Sequence, residues 1–115
     1  MTETFPLRAL RIPEGWTIEY NSFDDIPLDH PEAWSLVFKA SLFMAKHYRR
    51  NVLVDLGWLP DEDPSGAYVL RAFENDFTGK ELFRLDTRSD IAAVDALESL
   101  LLRITAGDIP QWPTE

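Results

Sequence analysis

The chain has no cysteine. Disulfides, thiolate nucleophiles and cysteine metal ligands are therefore outside its chemistry, and a reducing compartment suits it. Histidine is almost as scarce. His30 and His47 each lie beside an expected turn, and neither has the partner spacing of a metal site or a catalytic triad. The five glycines are scattered near expected turns and caps, so there is no glycine-rich phosphate loop. Long apolar runs are missing as well. The stretch Ala33 to Ala45 is broken by Ser35, Lys39 and Ser41 and falls short of the roughly 20 residues that a membrane helix needs. The opening MTETFPLRALRIPEGWTIEY lacks the basic start and apolar run of a signal peptide, so a cytoplasmic protein is expected.

Positive charge is the other shortage. Eleven Lys and Arg face twenty Asp and Glu, for a net charge of −9. Nucleic acid and anionic lipid repel such a chain, so neither is an expected partner, whereas a basic protein is. The acids are unevenly placed. Between Arg11 and Lys39 lie Glu14, Glu19, Asp24, Asp25, Asp29 and Glu32 with no base among them. Between Arg50 and Arg71 lie Asp55, Asp61, Glu62 and Asp63, again with none. Such stretches serve as a solvated face or as a docking surface for a cationic partner, which would speed encounter and make it salt-dependent. Among twenty acids close carboxylate pairs arise by chance, so they are no specific sign of acid–base catalysis. Asp61-Glu62-Asp63-Pro64-Ser65-Gly66 imitates the first half of a calcium loop. Its twelfth position is Ala72 rather than a bidentate Glu, and Pro64 interrupts it, so an acidic turn is the better reading.

What remains is a foldable domain. Of 115 residues, 45% are hydrophobic and 12% aromatic, enough for one core and one domain over 1–115, with the core at about 8–106 and a tail at 108–115. Arg8–Ile12 and Trp16–Tyr20 alternate around Pro13-Glu14-Gly15 and predict a hairpin, with Trp16, Ile18 and Tyr20 on one face. Asn21–Glu32 predicts a loop, then a short helix over Pro31–Phe38 capped by Asp29 or His30. Ala40–Lys46 fits helical and alternating spacing alike; a strand is favoured, because Asn51–Trp58 offers a partner across the turn His47–Arg50. Pro60–Gly66 predicts a loop, and Ala67–Phe73 and Glu81–Asp86 predict strands of a meander. Ile91, Val94, Leu97, Leu101 and Ile104 recur at helical spacing. Thr87 to Asp90 resembles a capping box and Gly107 a left-handed cap, so a helix is expected over Ser89–Ala106. The expected fold is α+β: one antiparallel sheet of about five or six strands, the C-terminal helix on one face and the short helix near 31–38.

Four tryptophans, Trp16, Trp34, Trp58 and Trp112, are many for this size, and core packing is the ordinary use of each. Trp58 also ends a strand directly before the acidic loop, where an exposed ring among acids would be a binding anchor.

Leu10-Arg11-Ile12-Pro13-Glu14-Gly15-Trp16 ends in Pro-x-Gly-Trp. Val52-Leu53-Val54-Asp55-Leu56-Gly57-Trp58-Leu59-Pro60 ends in Asp-x-Gly-Trp-x-Pro, and Asp63-Pro64-Ser65-Gly66-Ala67-Tyr68 follows. With the C-terminal helix, this pattern resembles small bacterial immunity proteins that accompany polymorphic toxins, including those of contact-dependent growth inhibition systems. The resemblance runs from Leu10 to about Ile104 and is weakest over Asn21–Ala45. It implies a non-enzymatic, cofactor-free antidote that binds the C-terminal domain of its cognate toxin, such as a nuclease with a basic groove. Charge then nominates Asp24, Asp25, Asp29, Glu32, Asp61, Glu62, Asp63 and Trp58 as toxin-binding residues. The rivals are an acidic adaptor unrelated to toxins and a small carboxylate enzyme.

Overall fold

A computed structural model describes residues 6–26 and 28–109, apart from the side chains of 34 and 35. The Trp34 side chain and the tail from 110, with Trp112, lie outside the described residues. Five antiparallel strands form one sheet in the order β1-β2-β3-β4-β5, a meander with each strand beside its sequence neighbour. They are β1 (Trp16–Asn21), β2 (Phe43–His47), β3 (Val52–Leu59), β4 (Ala67–Glu74) and β5 (Glu81–Thr87). Helix α1 (Ala33–Leu36) precedes β2, and α2 (Asp90–Thr105) follows β5. The α+β expectation and its single sheet are therefore what the chain adopts, with five strands.

Strand alternation divides the sheet into two faces. Phe43, Ala45, Val54, Leu56, Trp58, Tyr68, Leu70 and Ala72 project to one face and join α2 in a single core through Ala93, Leu97, Leu100, Leu101 and Ile104. Phe23, Ile26, Val37 and Phe38 extend the same core. The opposite face carries Leu53, Asp55, Val69, Arg71 and Phe73, none of which belongs to that core. One row of it crosses four strands as Met44, Asp55, Arg71 and Arg84.

The ambiguous stretch resolves as strand over Phe43–His47, while residues 40 and 41 bulge outward over Gly57. Trp58 N–H donates to Lys39 O and Leu42 N–H to Leu56 O, on either side of that bulge. A Cβ on Gly57 would lie 1.8 Å from Ala40 O, so this crossing demands glycine.

Several expectations are corrected. Arg8–Ile12 is not a strand; the N-terminal segment makes one isolated bridge, Leu7 to Asp24, and runs beside α2, where Arg11 N–H donates to Glu98 Oε2 at 2.8 Å. Leu10 packs on the core there, and that burial outweighs a local two-stranded hairpin, which is marginal alone. Trp16, Ile18 and Tyr20 do not share a face, because the β1–β2 register shifts between Ile18 and Tyr20. Helix α1 is a single turn rather than Pro31–Phe38. Glu32 is its N-cap but gives no capping hydrogen bond from its side chain, and Val37 and Phe38 leave the helix to enter the core. At α2 the N-cap is Ser89, whose Oγ accepts from Ala92 N–H, so Thr87 does not head a capping box. The buried stripe of α2 includes Ala93 and Leu100, while Ile91 is 70% exposed and Val94 only half-buried. Gly107 takes the expected left-handed conformation, φ 90°.

Candidate functional site

The acids nominated by sequence gather at one end of the sheet. The loop from Pro60 to Gly66 is bonded there to the chain just after α1: Glu62 N–H donates to Phe38 O at 2.8 Å, and Ala40 N–H donates to Asp61 Oδ1 at 2.9 Å. The N-terminus of α2 closes the same end. Arg8 Nη1 lies 3.3 Å from Asp25 and 3.1 Å from Asp90, with its guanidinium over the Phe23 ring.

The individual acids differ in what they do. Asp25 is held by Arg8. Asp24 is half-buried beside its bridge to Leu7, and burial pushes its carboxyl above the ordinary range. Asp63 Oδ1 accepts from the Ser65 backbone and hydroxyl at 2.9 and 2.7 Å, bonds that lower its pKa. This carboxylate shapes the turn, and among the described residues no group of three His, Asp or Glu could hold a metal ion. Asp29, Asp61 and Glu62 are exposed, whereas Glu32 is only half exposed. Glu62 has φ 58°, a strained conformation for a residue with a side chain.

Trp58 is corrected as a binding anchor. Its ring is 0% exposed, its indole N–H donates to Asp63 O at 2.6 Å, and it packs edge-on to Tyr68 at 5.1 Å and against Phe38 at 4.7 Å. Arg88 reaches over the same ring and bonds to Gly66 O. A Cβ on Gly66 would crowd Leu59 O and the Trp58 nitrogen. The motif residues Gly57, Trp58, Gly66 and Tyr68 thus build one knot that seats the acidic loop.

The histidines are structural. His30 Nδ1 accepts from Glu32 N–H at 3.0 Å. His47 is buried, accepts Arg50 N–H at Nδ1, and meets the Trp16 ring edge-on at 5.2 Å. Burial, then the charges of Arg50 and Arg49, hold its pKa below the usual imidazole value. A groove of about 550 Å³ lined by Arg11, Ile12, Pro13, Glu98, Ser99 and Leu102 lies along α2, apart from the acidic loops.

Sequence reasoning missed one pair. Asp55 and Arg71 stand opposite each other on β3 and β4, with Arg71 Nη2 3.0 Å from Asp55 Oδ2 and Asp55 almost wholly buried. Asp55 Oδ1 and Arg71 Nε are buried without another hydrogen bond among the described residues. Burial raises the Asp55 pKa against the opposing pull of Arg71. The signal was present: each is the lone charge inside an apolar strand, in VLVDLGWL and AYVLRAF.

No helix among the described residues is long and apolar enough to cross a membrane. No family model, curated protein or solved structure matches the chain.

Proposed function

We propose that this protein is a cytoplasmic immunity protein, an antitoxin that binds and neutralises the C-terminal nuclease domain of a cognate polymorphic toxin of the contact-dependent inhibition kind. One observation carries the reading: two loops with seven acids and no base, Asn21–Glu32 and Pro60–Gly66, leave the same end of the sheet, one after β1 and one after β3. The resemblance of the Gly-Trp motifs to immunity proteins supplies the class, and the acidic end supplies the chemistry. A nuclease holds its substrate in a basic groove, and carboxylates fixed on a rigid sheet can occupy the phosphate positions. Steering by opposite charge speeds encounter, and close ion pairs slow release.

The test is co-purification with the C-terminal domain of a cognate toxin, which the proposal places in the gene directly upstream, followed by charge reversal. Asp29→Lys with Glu62→Lys changes two exposed acids that make no side-chain bond described above, so the fold should persist. Affinity for the toxin domain should fall by roughly a hundredfold or more, as expected when close interfacial charge pairs turn repulsive. Tight binding to a basic protein that is no toxin would identify the chain as an acidic adaptor instead. Unchanged toxin affinity in the folded variant would move the interface off these loops.

A further inference from the structure

We propose that β5 is a self-complementary edge through which two copies of this chain join into one continuous ten-stranded sheet. Among the described residues the sheet ends at β1 and β5, and each end presents unpaired backbone donors and acceptors, as any open edge does. The two ends differ. β1 is interrupted by the register shift between Ile18 and Tyr20, a device that blunts edge pairing. The β4–β5 register shifts only near the start of β5, between Glu81 and Phe83; beyond it β5 is regular from Phe83 to Thr87, and among the described residues its backbone bonds only to β4.

The occupant follows from charge. When identical antiparallel strands pair about a two-fold axis, each residue faces a counterpart at equal distance from the centre, on the same side of the sheet. Centred on Leu85, the register sets Arg84 opposite Asp86 of the second copy and Asp86 opposite its Arg84. Centred on Arg84 or on Asp86, like charges stand face to face, and centred on Phe83, Arg84 faces Leu82. Leu85 is therefore the centre that satisfies both charges, twice per dimer. Arg84 and Asp86 are about half exposed and bond to each other at 2.9 Å within one strand, so both are oriented along the edge. Leu85, 36% exposed, would be covered by its own counterpart. Both copies of α2 then lie on one face of the joined sheet. The acidic loops take no part in this contact, so it stands or falls separately from toxin binding.

Sedimentation of the purified full chain should show, at high micromolar concentration, a species of twice the 13.2 kDa chain mass. Arg84→Asp places acid against acid and should weaken dimerisation roughly tenfold or more, because two cross-strand pairs reverse together. Arg84→Asp with Asp86→Arg restores complementarity and should restore the dimer. The chain has no native cysteine, so Leu85→Cys should form a covalent dimer on mild oxidation. Directly opposed Cα atoms at about 4.5–5.5 Å suit a disulfide. Ile18→Cys on the β1 edge, 41% exposed, should not cross-link. A monomer at all concentrations, a dimer indifferent to Arg84→Asp, or equal cross-linking at Ile18→Cys would each overturn the proposal.

Discussion

Asp55 shows what a buried charge costs and what its partner spares. Its folded pKa lies above the ordinary 3.8, so the folded state binds the extra proton. Stability therefore declines as pH rises from 3.8 through the folded value, and the penalty is complete above it. Arg71→Met should cost about 3–5 kcal/mol near neutral pH by leaving the carboxylate unpaired, whereas Asp55→Leu with Arg71→Met should return within about 1 kcal/mol of wild type. A double-mutant cycle from urea melts measures this coupling. His47 works in the other direction. Its folded pKa lies below 6.5, so its contribution is complete above pH 6.5 and is lost as pH falls through the folded value, when a proton displaces Arg50 N–H from Nδ1. Thermal melts between pH 8 and 5 should show this decline, and His47→Gln should flatten it. Trp58→Ala should cost about 3–5 kcal/mol, since its ring is enclosed by Phe38 and Tyr68. A variant with unchanged melting temperature would contradict that packing.

Elements in this fold owe their limits to contacts made elsewhere. β3 reads as strand from its own composition, with eight residues of which seven are buried. β2 needs β3: its strand begins only after the bulge at 40 and 41 has cleared Gly57. Gly57→Ala should thus destabilise by about 3 kcal/mol or more, because a backbone carbonyl must move to admit the methyl group. Equilibrium unfolding checks the value, and native stability would mean that the bulge is plastic. Helix α2 was legible from its 3.6-residue spacing, Ser89 and Gly107. The rotation of its buried stripe toward Ala93 and Leu100 was not, because sequence spacing admits neighbouring faces and the sheet selects one.

At the scale of the molecule, charge is separated from structure. The net charge is −9, and seven of the twenty acids lie in two base-free loops at one end of the sheet, outside the apolar core. Under the proposed function, association with a basic toxin domain should slow steeply as salt rises, the Debye length shrinking from about 10 Å at 0.1 M to about 3 Å at 1 M. Stopped-flow association across that range tests it, and a constant on-rate would remove steering from the account while leaving neutralisation in place.

The residues alone determined the class of fold, the strands β3, β4 and β5, the C-terminal helix and the acidic surface, because each rests on local periodicity, turn chemistry or composition. Tertiary structure decided three other matters. It drew Arg8–Ile12 away from a hairpin and onto α2, since burial of Leu10 outweighs a lone pair of strands. It buried Trp58, for which the sequence favoured the core but left a surface anchor open, because Phe38 and Tyr68 close over it from distant points in the chain. It also joined Asp55 to Arg71, since the register of two strands, and not the sequence of either, sets which charges meet.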